Sequence, residues 1–261
     1  MSSENSPAKP FLKWAGGKRQ LLSKIEEHLP RDLDSHDTYI EPFIGGGAVL
    51  FHFLSSRSFE RIIALDINPE LILCYQMIQS DIVSIVKILK KMKREYPDFE
   101  DIEARKKYYY DIRSDWNSIE TDILKLPKEK KLVRTAQTIF LNKTCFNGLF
   151  RVNSKGKFNV PIGSYKNPTI CDEENLISVS KAIQKVEFYH SEYLGLVKLL
   201  GKNTFVYFDP PYRPLSTSSS FTSYSKSGFN DNNQKELAEL CIELNQLSVS
   251  FLLSNSDPKN T

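Results

Sequence analysis

The sequence predicts a doubly wound α/β fold, a parallel sheet with helices on its faces, interrupted by a mostly helical insertion. Helical patterns at Leu21–Leu29, Ala48–Leu54 and Gln234–Leu247 alternate with short apolar runs. These runs lack strict polar alternation, which is typical of buried parallel strands. The runs are Tyr39–Ile40, Arg61–Leu65, Val186–Tyr189, Phe205–Phe208 and Val249–Leu253.

One interval breaks this alternation. About 120 residues separate Asp66 from Val186, which is too long for an ordinary crossover connection. Helical patterns occupy Glu70–Lys93, Glu103–Trp116 and Lys128–Leu141, and a loop region with glycine and asparagine follows at Asn142–Pro168. We therefore expect one α/β domain formed by residues 1–68 and 169–261, with residues 69–168 as a helical insertion that has a separate task.

Composition excludes several classes of protein. A hydrophobic content of 40% fits a globular chain with a core, and no run of 18 or more apolar residues predicts a membrane span. The start, Met1–Pro10, is polar and does not resemble a secretion signal. The four cysteines are too far apart to form a Cys-x-x-Cys pair, and the four histidines lack metal-ligand spacing. We expect no metal site, no disulfides and a cytoplasmic location.

Charge is distributed unevenly along the chain. The net charge is only +3, but Lys87–Lys166 holds 19 Lys/Arg against 10 Asp/Glu, and the remainder holds 16 against 22. Within this region, Lys130–Lys166 has eight basic residues and no acidic one. A basic stretch in a slightly acidic protein suits binding to a phosphate backbone. A solvated basic surface without a partner is the alternative.

A glycine turn follows the first predicted strand. Gly45, Gly46 and Gly47 allow the backbone to approach a ligand closely, and Asp66 follows 21 residues after Gly45 at the end of the next strand. An acid in that place can accept hydrogen bonds from the ribose hydroxyls of an adenosine cofactor. A dinucleotide site requires the G-x-G-x-x-G spacing, which this turn lacks. A glycine turn without function remains the other alternative.

The tetrapeptide Asp209-Pro210-Pro211-Tyr212 follows the strand Phe205–Phe208. Ligands of open α/β sheets bind at the carboxyl ends of strands. A carboxylate and a proline-fixed carbonyl can accept the two N–H bonds of an exocyclic amine, which returns its lone pair to the nitrogen. The tyrosine ring can stack on a base. These residues predict methyl transfer to a base amine, although a plain proline-rich turn is the alternative.

A base amine inside a duplex is unreachable, so the base must be flipped out of the stack. The helical insertion is the candidate for holding the duplex open. The Ser/Thr-rich run Leu215–Phe229 is expected to be either a loop that closes over the flipped base or a plain linker. No Pro-Cys pair occurs, which argues against a cytosine-C5 enzyme.

Taken together, the motifs resemble the Dam-type (DpnM-like) DNA adenine-N6 methyltransferases, which modify GATC. The resemblance covers nearly the whole chain and keeps the family's motif order. The matching segments are Phe11–Lys18, Glu41–Gly47, Asp66–Asn68, Phe146–Asn153, Phe158–Tyr165, Asp209–Tyr212 and Leu253–Ser256. The family pattern continues past the last segment with a further helix and strands, whereas this sequence ends at Thr261.

The resemblance implies S-adenosylmethionine as the cofactor, a Rossmann-like methyltransferase sheet and double-stranded DNA as the substrate. It implies guanine contacts by Lys13 and Arg151, base contacts by Leu149 and Pro161, and an aromatic wedge at Phe146. Asn147 and Asn153 would contact DNA as well. The cofactor residues would be Phe11, Trp14, Ala15, Gly16, Gly17, Lys18, Glu41, Pro42, Phe43, Gly45, Gly46, Gly47, Asp66, Ile67, Asn68 and Asp209. Without the resemblance, a core phenylalanine and a surface arginine would be the simpler interpretations of Phe146 and Arg151.

The sequence therefore predicts an adenine-N6 DNA methyltransferase that is expected to act as a monomer. A partner in restriction–modification, an enzyme that marks DNA for repair or regulation, and a phage enzyme are the alternatives for its biological role. A cytosine-N4 or other amino methyltransferase of the same fold is one alternative. A DNA-binding protein with an inactive cofactor fold is the other.

Overall fold

The computed structural model describes residues 7–14, 16–119, 122–211 and 229–255. In this part of the chain five strands form one sheet in the order β3-β2-β1-β4-β5, and every neighbouring pair is parallel. The strands are β1 (Thr38–Glu41), β2 (Arg61–Asp66), β3 (Val186–His190), β4 (Thr204–Phe208) and β5 (Ser250–Leu253). Four of them contain an apolar run singled out from the sequence, and β5 begins one residue later than its run, so the predicted α/β fold with a parallel sheet is confirmed.

The strand order reverses between β1 and β4. Successive strands lie to one side of β1 up to β3, and the chain then returns to place β4 and β5 on its other side. Such a topological switch point leaves a crevice outside the carboxyl ends of the two central strands, where open α/β sheets bind ligands.

Seven α-helices accompany the sheet within the described ranges, and the six predicted helices are confirmed. The prediction for α5 ended three residues early, and α6 was not predicted. Its N-terminus is capped by Asp172, whose side chain accepts from Asn175 N. The helices are α1 (Leu22–Glu27), α2 (Ala48–Ser56), α3 (Pro69–Glu95), α4 (Ile102–Ser118), α5 (Lys128–Thr144), α6 (Glu173–Ala182) and α7 (Asp231–Gln246).

The chain divides into two compact units. The sheet unit comprises residues 16–68 and 185–261, and the helical unit comprises residues 1–15 and 69–184. The sheet unit contains the five strands with α1, α2 and α7, and the helical unit contains α3 to α6. The functional division of the chain made from the sequence stays a prediction.

Both faces of the central strands are covered in the sheet unit. Ile40, Val206 and Phe208 belong to a buried cluster with α7 residues such as Leu240. Neighbouring strand residues point to opposite faces, so Tyr39 and Phe205 belong to an aromatic group with Phe53 and Phe59. Burial on both faces explains why these strands are apolar throughout rather than alternating.

Helix α3 is the central helix of the helical unit, and it is broken at Asp81, where the backbone leaves the helical region. The Asp81 carboxylate accepts from Ser84 N at 3.1 Å and pairs with Lys128 Nζ at 2.9 Å. By length and composition alone α3 could span a membrane, but its most apolar window is 44% buried inside the structure. Core helices of globular proteins can have the same length and apolar composition, so the expected lack of a membrane span stays a prediction.

Candidate active site and nucleic-acid interface

Three acidic side chains of the sheet unit stand at the carboxyl ends of neighbouring strands. Glu41 ends β1, Asp66 ends β2, and Asp209 directly follows β4. Because parallel strands end at the same edge of a sheet, the register brings the three carboxyl groups to the crevice at the switch point. The three groups also interact electrostatically, since the pKa of Glu41 is raised first by burial and further by the charges of Asp209 and Asp66.

Asp66 is held by backbone amides on both carboxylate oxygens. Gly45 N donates to Oδ2 at 3.1 Å and Asn68 N donates to Oδ1 at 2.8 Å. Burial raises the pKa of this carboxyl to about 6, although these two amides and His190 lower it. A fixed carboxylate with further lone pairs is suited to accepting hydroxyl hydrogen bonds.

The glycine turn connects β1 to α2 in a conformation that favours glycine. Gly45 has φ 48° and Gly47 has φ 73°, both in the left-handed region. Ile44 N donates to Leu65 O at 3.0 Å, which ties the turn to the end of β2. Gly47 begins α2 without a side-chain cap, so the first amides of that helix are not covered by a capping side chain.

Asp209 forms an ion pair with Lys18, with 2.7 Å between Lys18 Nζ and Asp209 Oδ1. The lysine side chain is 4% exposed and the aspartate 20%. Burial raises the pKa of Asp209 to about 6, while the lysine lowers it and so favours the ionised form. Within the described residues, Asp209 Oδ2 has no hydrogen-bond partner and can accept from a ligand.

Glu41 is buried and accepts a hydrogen bond from Tyr39 Oη at 2.7 Å. Burial raises the pKa of Glu41 well above its usual value, and the neighbouring carboxylates raise it further. The Tyr39 hydroxyl acts in the opposite direction, because it stabilises the ionised form. Burial thus raises the pKa of all three carboxyl groups, to about 6 for Asp66 and Asp209 and well above its usual value for Glu41.

Phe43 follows Glu41 and Pro42 out of β1. Its ring stacks on Tyr193 with centroids 5.2 Å apart, and Phe229 packs edge-on against both rings. Sequence reasoning did not single out Tyr193, whose role depends on a contact between distant chain segments.

The remaining predicted residues of the sheet unit lie around this edge. Pro210 and Asn68 are buried, Pro211 is exposed, and Ile67 is 46% exposed, which is unusual for so apolar a side chain. Gly16 and Gly17 precede Lys18, with Gly16 at φ 79°. Ala15, Tyr212 and residues 215–228 of the predicted loop lie outside the described residues, as does Ser256 of the last motif.

Two residues predicted to contact the cofactor belong to the helical unit and have packing partners there. Phe11 is 3% exposed and packs edge-on against Tyr75, with centroids 5.1 Å apart. Trp14 stacks on Phe150 with centroids 5.4 Å apart. Packing within the helical unit thus explains the positions of both rings, and their contact with a cofactor stays a prediction.

All seven residues predicted to bind DNA also lie in the helical unit, and Asn142 joins two of their segments. The Asn142 side chain accepts from Lys13 N at 2.8 Å and donates to Lys13 O at 2.9 Å and Gly148 O at 2.8 Å. Gly148 has φ 64°, and a Cβ there would lie 2.2 Å from Lys13 Cδ. Lys13 Nζ lies 4.0 Å from the ring centroid of Tyr165.

The turn that follows α5 displays an aromatic ring. Phe146 is 51% exposed, and Asn147 has φ 54°, a left-handed conformation that asparagine tolerates better than most residues. The turn is fixed from its other side, since Phe146 N donates to Pro161 O at 2.9 Å. An exposed phenylalanine on a fixed backbone has the form needed to enter a base stack, whereas a core phenylalanine would be buried.

Arg151 and Asn153 lie on a short hairpin that closes through an antiparallel bridge between Val152 and Phe158. Asn153 Oδ1 accepts from two backbone amides of the tip, at residues 155 and 157, each at 3.0 Å. From α4, Asn117 accepts from Phe158 N at 2.7 Å and donates to Phe158 O at 3.0 Å. This asparagine pairs with the hairpin backbone much as a neighbouring strand would.

Other side chains of α4 hold the segment after the hairpin. Tyr109 Oη and Arg113 both donate to Val160 O, at 2.8 Å and 3.1 Å. Arg105 donates to Tyr165 O at 2.9 Å and to the next carbonyl at 3.1 Å. Several basic residues of the region therefore have structural tasks, which the charge count alone could not separate from DNA contacts.

A metal site would need several His, Cys, Asp or Glu side chains close together. Within the described ranges, no group of three or more His, Cys, Asp or Glu side chains is placed to hold an ion. The predicted absence of a metal stays a prediction for the whole chain.

Comparison with known proteins shows the family to which this chain, with its acidic sheet edge and glycine turn, belongs. Residues 14–261 match the model of the D12 class N6 adenine-specific DNA methyltransferases. The chain belongs to this family. It is therefore an adenine-specific DNA methyltransferase, in agreement with the reaction predicted from the sequence.

Named relatives agree with the family. A type II methyltransferase, M.MjaIII, of Methanocaldococcus jannaschii is 47% identical over 250 residues, covering 95% of this chain and 84% of the relative. The type II methyltransferase M1.LlaDCHI of Lactococcus lactis subsp. cremoris is 37% identical, with 95% and 81% covered. A DNA adenine methylase of Vibrio cholerae is 35% identical over 252 residues, with 96% and 82% covered.

Proposed function

We propose that this methyltransferase transfers a methyl group from S-adenosylmethionine to N6 of an adenine flipped out of double-stranded DNA, with GATC as its site. The observation that carries the proposal is the Asp209 carboxylate at the switch point, paired with Lys18 on one oxygen and available on the other. Names of relatives that include DNA adenine methylase agree with it.

The cofactor side of the sheet fits an adenosine-containing group. Asp66 would accept from the ribose hydroxyls, because its oxygens are already oriented by Gly45 N and Asn68 N. Exposed Ile67 offers an apolar surface beside that acid, and the glycine turn leaves room for close approach. When bound, the sulfonium of S-adenosylmethionine supplies an electrophilic methyl group.

Asp209 has the central task in the transfer. Its free oxygen accepts one N–H of the adenine amine, and the Pro210 carbonyl accepts the other, so that the nitrogen lone pair is no longer withdrawn into the ring. Lys18 keeps the carboxylate ionised and oriented. Tyr212 completes the motif as a stacking surface. The site mainly positions the amine for in-line transfer.

The helical unit supplies DNA recognition in this proposal. Phe146 fills the gap left by the flipped base, and Lys13 and Arg151 contact guanines of the site. Leu149 and Pro161 touch neighbouring bases, while Asn147 and Asn153 contact DNA nearby. We also infer a monomeric, cytoplasmic enzyme, in keeping with the free thiols of Cys74, Cys145, Cys171 and Cys241.

Nucleoside mass spectrometry tests the proposal directly. The enzyme is incubated with S-adenosylmethionine and either a GATC duplex or a scrambled duplex, and the DNA is then digested. N6-methyladenine in the GATC duplex alone supports cofactor, target atom and site together. Equal methylation of both duplexes overturns GATC while retaining the chemistry, and N4-methylcytosine overturns the assignment of the target atom.

A further inference from the structure

Arg151 and Asn159 face each other across the hairpin and are linked twice. Arg151 Nε donates to Asn159 Oδ1 at 2.8 Å, and Asn159 N donates to Arg151 O at 3.1 Å. Within the described part of the chain, the two terminal Nη groups of the guanidinium make no hydrogen bond. One edge of Arg151 is therefore occupied, and its outer end is available.

Asn159 is itself held in place by its neighbours. The bridge between Val152 and Phe158 lies directly beside it, and Asn117 pairs with both backbone groups of Phe158. Side-chain oxygen, backbone and supporting helix thus form one connected set of hydrogen bonds. The hairpin therefore fixes the backbone that carries Asn159, and the bond from Arg151 Nε holds its Oδ1.

A guanidinium can bind a planar pair of acceptors in two ways. It can use Nε with one Nη along its side, or both Nη groups at its end. A hydrogen bond on Nε removes the first way and leaves the second. Guanine presents O6 and N7 as such an acceptor pair in the major groove.

We infer that Asn159 is a positioning residue for base recognition, which holds Nε so that Arg151 meets guanine end-on through its two Nη groups. The inference rests on the proposed function, in which Arg151 reads a guanine of the site. Asn159 needs no contact with the base in this arrangement, since it acts through the orientation of the guanidinium.

The experiment uses the full chain and four variants: Arg151→Ala, Asn159→Ala, Asn159→Asp and, as a matched control, Asn167→Ala. Asn167 is also an exposed asparagine of the helical unit, but it lies outside the hairpin. The values of kcat/KM are measured on the cognate duplex and on duplexes with each guanine of the site replaced. If Asn159 had a merely structural role, its replacement would lower kcat/KM on all duplexes by the same factor. The ratios of kcat/KM between duplexes would then stay unchanged.

We expect Asn159→Ala to reduce discrimination about threefold to tenfold at the same guanine whose recognition Arg151→Ala removes, part of the roughly 5- to 150-fold that a bidentate pair provides. Asn159→Asp restores the ratio, because a carboxylate also accepts from Nε, although its charge lowers affinity for all duplexes. Asn167→Ala leaves every ratio unchanged.

The outcomes separate the two claims. If Arg151→Ala leaves base preference unchanged, the proposed recognition role of Arg151 fails. If Arg151→Ala changes preference but Asn159→Ala does not, only the positioning role fails. A uniform loss of affinity by Asn159→Ala with a weaker salt dependence would instead assign Asn159 to a phosphate contact and overturn the inference.

Discussion

In the sheet unit, Glu41, Asp66 and Asp209 take their places from strand ends, so the parallel register positions them. In the described part of the helical unit, Phe146 and Arg151 lie on irregular backbone with two isolated β-bridges. The first arrangement obtains its order from regular secondary structure. The second obtains its order from side chains that bond to backbone groups far away in sequence.

This difference shows where supporting residues are to be sought. The sheet unit surrounds its site with buried apolar strands, and the cost of its buried carboxyls appears as raised pKa values. The helical unit places amide side chains and arginines on loop carbonyls, as Asn142, Asn117 and Arg105 do. Loops with few ladder hydrogen bonds must satisfy their backbone groups in this way.

The largest effect is expected for Asp209→Ala in the sheet unit. Loss of the acceptor for the adenine amine should lower kcat by at least roughly 10²- to 10³-fold, the usual size for one preorganised polar group. DNA binding measured by fluorescence anisotropy should change little, because recognition is assigned to the helical unit.

Circular dichroism serves as the control for Asp209→Ala, since the change leaves Lys18 without its ion-pair partner Asp209 in a buried place. Appreciable turnover by a folded variant would contradict the proposed mechanism and the division of labour between the units.

A second prediction contrasts one bidentate ion pair from each unit. Glu70 pairs with Arg134 in the helical unit, with side chains 10% and 4% exposed, and Glu187 pairs with Arg61 in the sheet unit, at 37% and 38%. Glu70→Gln should lower the free energy of unfolding by about 3–5 kcal/mol, because Arg134 stays buried and charged. Glu187→Gln should cost less than about 1 kcal/mol, because solvent screens the pair.

Urea unfolding at neutral pH measures both values. Equal costs for the two glutamine variants would mean that burial does not decide the strength of these pairs, and the contrast between the units would be lost.

The third prediction compares two glycines with positive φ. A Cβ on Gly148 would meet the Lys13 side chain, whereas a Cβ on Gly16 would meet nothing within 4 Å. Gly148→Ala should therefore displace Lys13 and weaken DNA binding about tenfold, a loss of about 1.4 kcal/mol. Gly16→Ala should add only backbone strain of roughly 1–2 kcal/mol in the sheet unit.

Anisotropy titrations without cofactor isolate this effect, and Gly16→Ala is the control for strain alone. If both variants bind DNA equally well, the packing of Lys13 against Gly148 does not contribute to recognition.

The smallest effect concerns pH. The reaction requires ionised Asp209, whose pKa is raised by burial to about 6, so kcat/KM should fall by about half between pH 8 and pH 6. Cofactor affinity should show its own acid limb near pH 6, because the pKa of Asp66 is also raised by burial to about 6. Asp66→Asn should remove the pH dependence of binding, which calorimetry measures.

Acid unfolding would not explain such a loss through these two groups. Their pKa values in the folded state exceed the usual 3.8, so their contribution to stability is full below that value and is lost as the pH rises through about 6. A rate that stays constant down to pH 5 would contradict the assignment of Asp209.

Much of the sheet unit could be predicted from the sequence because its signals are local. Apolar runs marked the strands, and the position of Asp66 and Asp209 after such runs placed both at one edge. The ion pair between Lys18 and Asp209 was not predicted, although both residues were singled out, since 191 positions separate them. Nothing local indicates which cation a buried acid will meet.

The helical unit was less predictable for the same reason. The sequence indicated that a loop begins at Asn142, but α5 continues through this residue. The Asn142 side chain bonds to Lys13, 129 positions earlier in the chain. Asn117 and Asn159 resemble ordinary polar residues in the sequence, and their tasks depend on a hairpin that only tertiary structure defines. Helix α6 was missed because ten residues with one modest apolar face give a weak periodic signal.

The pairing of β2 with β3 has a consequence for how the chain folds. Ile62 is paired with Val186, so this edge of the sheet closes a loop of more than a hundred residues, whereas α3, α4 and α5 follow one another along the chain before β3. Closing long loops is slow, and local helical contacts form early. During synthesis from the N-terminus, α3, α4 and α5 can therefore assemble before the ribosome has delivered the strand that completes this part of the sheet.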